Sequence, residues 1–298
     1  MLNTNDLRAP GAPKCLIGNN LQLARFLPPS INHANLAWHE DCLHPKNKKK
    51  KIGKNPLPIL YNSLILFSVI NTTNTMTLLA TNTKLEKGTK LDWTTKGLSL
   101  APANLSGKQL CPHRSAGCEA ACLNLSGMGV FSNVQEARIN KAKFLIERRP
   151  DFLAALNKEL VNLNKRAIKG QKIAVRLTVL SDLPWHNMID MESFQNLRFY
   201  DYTPNLARMI QFLNGELPAN YHLTFSRKEN NQAKVELVAA MGGNVAVVFD
   251  KLPQTYLGKQ VVDGDATDLR FLDPRGVIVG LKAKGKGKQD TSGFVVKS

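Results

Sequence analysis

The sequence predicts an α/β protein built on a parallel sheet, and three observations carry that reading. Segments rich in β-branched and apolar residues begin at Ile173, Leu197, Tyr221 and Asn244, about 23–25 residues apart. Helical stretches with recognisable stops, at Gly215 and at Gly242-Gly243, lie between the later ones. A hydrophobic content of 43% with 21% charged residues describes a chain able to bury a core. A strand followed by a crossover helix needs about that spacing, and such crossovers are right-handed, so successive strands line up in parallel. A further strand at residues 276–281 brings the expected count to about six. An open sheet and an incomplete barrel fit this rhythm equally.

The chain begins with a different texture. Residues 1–75 show no repeated periodicity, and Pro, Asn and Lys are scattered among short apolar pieces. We expect a poorly structured extension there, or a functional start near Met76, where the patterned sequence begins. The run Lys48-Lys49-Lys50-Lys51 suits a solvated stretch, or an arm that contacts nucleic acid. The longest apolar run, residues 57–70, contains Asn62, Ser63 and Ser68 and is fourteen residues long. A membrane span needs about 18–20, so no membrane association is expected.

Residues 76–298 read as one α/β domain. Residues 98–102 are expected to form the first strand, leading into a cysteine-rich loop. Ser132 with Gln135 is a capping-box signature for a helix to about Arg148. Pro150-Asp151 opens a second helix, whose Leu153, Leu156, Leu160, Leu163 and Ala167 form one stripe, closed by Gly170. Strands follow at 173–179, 197–200, 221–225 and 244–249. Helices are expected from Thr203-Pro204 to Gly215 and over residues 231–241. From about residue 282, alternating Gly and Lys predict a mobile basic tail.

Three of the five cysteines fall within Cys111-Pro112-His113-Arg114-Ser115-Ala116-Gly117-Cys118-Glu119-Ala120-Ala121-Cys122. Cys118 and Cys122 stand one helical turn apart, so a helix puts both sulfurs on one face. Pro112 and Gly117 keep the approach from Cys111 irregular enough for its sulfur to fold back. Three converging thiolates suit an iron–sulfur cluster with one iron left open. Zinc wants four ligands, and His113 could complete a Cys3His set. Small buried cysteines that only pack are the plain alternative. The odd, clustered cysteine count does not read as a disulfide framework and points to a reducing compartment.

In parallel α/β folds the ligand sits beyond the carboxyl ends of the strands. The residues just past each expected strand are therefore candidates. Asp182, His186, Asp201 and Tyr202 are read as catalytic, and Ser181, Trp185, Ser226 and Arg227 as cofactor-binding, with Lys228, Asp250 and Lys251 nearby. Each has a structural alternative: Asp182 and Asp201 as helix caps, Trp185 and His186 as half-buried packing, Arg227 and Lys228 as a solvated loop. The acidic run Asp263-Gly264-Asp265-Ala266-Thr267-Asp268, with Asp273, has oxygen ligands for Mg²⁺ or Ca²⁺, but it suits turns and caps as well. No P-loop, Rossmann glycine fingerprint or serine elbow is present.

Several separated blocks resemble the gene product 88 family of phages and plasmids. They are Gly97-Leu98-Ser99-Leu100-Ala101-Pro102, the cysteine loop, Leu180-Ser181-Asp182, Phe199-Tyr200-Asp201-Tyr202-Thr203, Thr224-Phe225-Ser226 and the run from Asp263 to Asp268. The resemblance runs from about residue 80 to the carboxyl terminus. It implies a viral or mobile-element setting, and so the cytoplasm of a bacterial host, but no particular reaction. A wider resemblance is to radical S-adenosylmethionine enzymes, in which a cysteine triplet follows the first strand of a partial (βα)6 barrel. That likeness implies Cys111, Cys118 and Cys122 as ligands of a [4Fe–4S] cluster whose open iron binds S-adenosylmethionine. The cysteine gaps here are six and three residues where that superfamily usually has three and two, and its glycine-rich strand ending is absent after Val179.

The formal charge of +17 favours contact with polyanions, nucleic acid first. The bias is spread along the chain: nine Lys and Arg against three Asp and Glu in residues 1–75, and 31 against 20 in residues 76–298. Three functions follow as expectations. The first is a radical-type iron–sulfur enzyme of unknown substrate. The second is a zinc-stabilised nucleic-acid-binding protein without catalytic activity. The third is a Mg²⁺-dependent hydrolase using the acidic run.

Overall fold

A computed structural model describes residues 76–298. The expectations for residues 1–75, including the Lys48 to Lys51 run, lie outside the described residues.

The sheet has nine strands: β1 (Leu79–Ala80), β2 (Trp93–Leu98), β3 (Lys172–Arg176), β4 (Leu197–Thr203), β5 (Tyr221–Ser226), β6 (Val245–Phe249), β7 (Thr255–Tyr256), β8 (Lys259–Asp263) and β9 (Ile278–Lys282). Their spatial order is β1-β2-β3-β4-β5-β6-β9-β8-β7. From β2 through β9 to β8 all neighbours are parallel; only the two-residue edge strands β1 and β7 run antiparallel to their partners. The array does not close, because β1 and β7 remain its edges. Among the described residues five α-helices accompany it: α1 (Ala116–Ala120), α2 (Ser132–Glu147), α3 (Arg149–Ile168), α4 (Leu206–Leu213) and α5 (Gln232–Ala240).

The α/β class and the parallel sheet are as the sequence predicts, with differences that have physical causes. The first parallel strand is Trp93–Leu98 and not residues 98–102. Leu100 and Ala101 are buried, but in an irregular segment, so their apolar character reports burial and not a strand. The capping box at Ser132 does not form: Ser132 is already helical, and Gln135 Nε2 donates to the Gly129 carbonyl. The β3–β4 crossover has no α-helix, only a 3-10 turn at Trp185–Asn187. Between β6 and β9 the chain makes the β7–β8 hairpin in place of a helix. Its two turn residues, Leu257 (φ 51°) and Gly258 (φ 68°), both lie in the left-handed region, as the tightest hairpin turns require.

Alternation along the strands sorts residues to two faces. Ile173, Val175, Leu197, Phe199, Leu223 and Phe225 join the main core with Phe152, Leu156 and Leu160 of α3. On the other face Ala174 and Tyr200 pack with Leu269, Trp93 and Phe271.

The basic tail, expected to be mobile from about residue 282, is instead tied down. Val295 is buried, Val296 bridges to Phe249, and Arg227 donates to the carbonyls of Gly293 and Phe294. Gly/Lys alternation up to Lys288 hid the apolar anchor at 294–296.

Candidate functional site

The cysteine loop is fastened over the carboxyl ends of β3 and β5. The Asp182 amide donates to the Leu110 carbonyl at 2.9 Å, and the Cys111 thiol to the Leu180 carbonyl at 3.3 Å. Lys228 Nζ, just past β5, donates to the His113 carbonyl at 2.7 Å. Glu229 takes the Ser115 hydroxyl at 2.7 Å and the Gly117 amide at 2.8 Å. Those two bonds hold its carboxyl below the usual range although burial pushes it up. Ser115 also caps α1 by accepting from the Cys118 amide at 3.3 Å. Gly117 lets the tail approach: a Cβ there would lie 2.2 Å from Ser292 Oγ and 2.7 Å from Phe294 Cβ.

All three cysteines are free and partly exposed. Burial pushes the Cys111 thiol up, the Ala103 amide opposes it, and the charges of Cys122 and Cys118 add to the rise. Cys122 is raised in the same way, by burial first and by Cys118. The sulfurs therefore lie within electrostatic reach of one another. Among the described residues, however, no three His, Cys, Asp or Glu side chains are grouped so as to hold a metal ion. The donor chemistry suits a thiophilic metal; as placed, the ligand geometry does not close around one.

Asp182 joins this loop to α4. Its carboxylate accepts from His113 Nδ1 at 2.8 Å, from Arg208 Nη1 at 3.1 Å and from Thr203 Oγ1 at 3.4 Å. A carboxylate only accepts, so the His113 proton sits on Nδ1, leaving Nε2 as the ring nitrogen free to ligate. Asp201 is deeper. It accepts from the Thr178 amide and hydroxyl, both at 2.7 Å, and from the Tyr221 hydroxyl at 3.1 Å. Burial outweighs those bonds and raises its carboxyl to about 6.

The other expected residues are dispersed. Trp185 is wholly buried, stacked on Phe152 with centroids 6.2 Å apart, and offers no surface to a ligand. His186 lies tilted beside Tyr221, its pKa lowered by burial and by Arg208. Ser181 is buried and its hydroxyl has no partner among the described residues. The Ser226 carbonyl accepts from Asn231. Arg227 is spent on the tail. The acidic run does not gather around a cation: Asp265 pairs with Lys284 at 2.6 Å, and Asp263 accepts from the Asp265 amide.

Tyr202 belongs to a separate network on the opposite face. Asp268 there pairs with Lys84 at 3.1 Å and Arg176 at 2.9 Å, and accepts from Tyr200 at 2.9 Å and Tyr202 at 3.3 Å. Burial pushes its carboxyl up, but Lys84, Arg176 and Arg270 hold it well below the usual range. The sequence reading missed Lys84, Arg176, Arg208 and Glu229. The only available signal was Arg176, a charge inside an otherwise apolar strand.

The sequence profile of the gene product 88 family matches residues 72–298. The chain belongs to this family. No curated protein and no solved structure matches the chain. Membership of the gene product 88 family covers the whole described fold, cysteine loop included. Among the described residues no helix is long and apolar enough to cross a membrane.

Proposed function

We propose that this gene product 88 family protein binds a metal centre through Cys111, Cys118 and Cys122 and works as an iron–sulfur enzyme of radical S-adenosylmethionine type. The observation that carries the reading is the loop: three unpaired thiols in one twelve-residue stretch, pinned to the strand ends where parallel α/β sheets hold ligands. A thiophilic cation would displace the thiol protons and draw the sulfurs together, and metal sites commonly take their final shape only on binding. When bound, a [4Fe–4S] cluster on three thiolates leaves one iron open to a cofactor. Asp182 and Lys228 position the loop, Ser181 has an uncommitted hydroxyl beside it, and Glu229 fixes the turn into α1.

A specific observation favours a second reading. His113 is oriented by Asp182 in the carboxylate–histidine pattern that commonly supports zinc. On that reading His113 Nε2 completes a Cys3His site, and the strongly basic chain binds nucleic acid. Two variants separate the readings. His113→Ala keeps its metal if the site is a three-cysteine cluster and loses zinc if it is Cys3His, whereas Cys118→Ser abolishes metal in either case. Metal bound equally by wild type and Cys118→Ser would end both.

A further inference from the structure

The network around Asp268 leaves several buried donors without acceptors among the described residues. Lys84, Arg176 and Arg270 gather around Asp268 and Asp273, with Asp201 and Asp265 also within electrostatic reach. Asp268 and Arg270 side chains are 1% exposed, and Arg176 only 12%. Leaving a buried donor without an acceptor is costly. Asp268 is saturated by its four donors. Arg270 is not: Nη2 donates to the Thr267 carbonyl, but Nη1 and Nε have no acceptor among the described residues. Asp273 lies 3.2 Å from Nε without the alignment of a hydrogen bond. Arg176 Nε is likewise unpaired, and so are the buried hydroxyls of Thr95 and Thr224.

Strand register puts these groups on one side of the sheet. Tyr202 stands opposite Thr224, Tyr200 opposite His222, and Arg176 opposite Gly97, two residues beyond Thr95. Gly264, just past β8, lets the backbone pack close against the guanidinium, since a Cβ there would lie 2.7 Å from Arg270 Nη1. Lys84, whose side chain is 24% exposed, gives the cluster its contact with solvent.

We propose that this face of the sheet holds an oxyanion site, for the phosphate or carboxylate group of a small molecule, with Lys84 at its entrance and Arg176, Arg270 and Thr224 as its donors. The bound anion supplies the acceptors that the guanidinium groups lack. The site is independent of the cysteine loop and needs no metal.

Titration calorimetry on the full chain at low ionic strength tests it, with inorganic phosphate in one arm and acetate in the other. Saturable binding of one anion per chain is expected in at least one arm, and the preferred arm identifies the group. Lys84→Met should weaken binding roughly tenfold or more, while Lys234→Met, on the exposed side of α5, should leave it unchanged. Thr224→Val keeps every ion pair and removes an unpaired hydroxyl, so it should fold normally and still lose affinity several-fold. Absence of binding in both arms would overturn the site, as would binding that Lys84→Met and Thr224→Val leave intact or that Lys234→Met weakens equally.

Discussion

Asp268 shows how a single side chain can hold together parts of the chain far apart in sequence. Its two oxygens bind Lys84, Arg176, Tyr200 and Tyr202 at once. Asp268→Asn leaves two buried cations under-compensated and should destabilise the fold by about 3–5 kcal/mol, read from the denaturant midpoint. His222 supplies a pH signature. Burial, with Arg198 and Arg270, lowers its pKa from 6.5 to about 4. A depressed pKa means the unfolded state binds the proton first, so stability is complete above about pH 6.5 and falls as pH drops through about 4. His222→Phe should flatten the stability profile across that window. A profile as steep as the wild type's would show that His222 is not the group responsible. Neither network was legible in the sequence. Lys84, Arg176 and Asp268 are separated by 92 residues each, and only strand register brings them together.

Elements were more legible than their contacts. The helical stripe of α3 and the four regularly spaced strands β3 to β6 came through because burial imposes a period that the sequence records. The strands β1, β7 and β8 are short or only partly buried and leave little pattern. Within the β7–β8 hairpin, Leu257 takes a left-handed conformation that disfavours a branched side chain. Leu257→Asn should therefore stabilise the protein by about 1 kcal/mol, measured as a higher melting temperature. Gly117 makes the opposite case. Adding a methyl group there collides with Ser292 and Phe294, so Gly117→Ala should cost about 1–3 kcal/mol. Limited proteolysis should then cleave the released tail after Lys286 or Lys288 faster than in wild type.

At the scale of the whole molecule, the sheet brings three separate chemistries to the ends of its strands. The cysteine loop lies over β3 and β5, the Asp182–Arg208 pair lies beneath it, and the Asp268 network occupies the other face. The carboxyl tail locks the first of these by packing along β6 and against the loop. Deleting residues 285–298 removes Val295 and Val296 and should cost about 2–4 kcal/mol of stability, while raising the reactivity of Cys118 and Cys122 towards a thiol reagent. The cysteine cluster was visible in the sequence because its chemistry is written in residue type. Its docking was not, since Lys228 and Glu229 stand over 100 residues away.

The most direct measurement is the metal content of full-length protein purified and reconstituted without oxygen. A brown protein with about four irons and matching sulfide per chain, bleached by Cys122→Ser, is the predicted result. A colourless chain without iron or zinc, whose three loop thiols all react freely, would contradict the account.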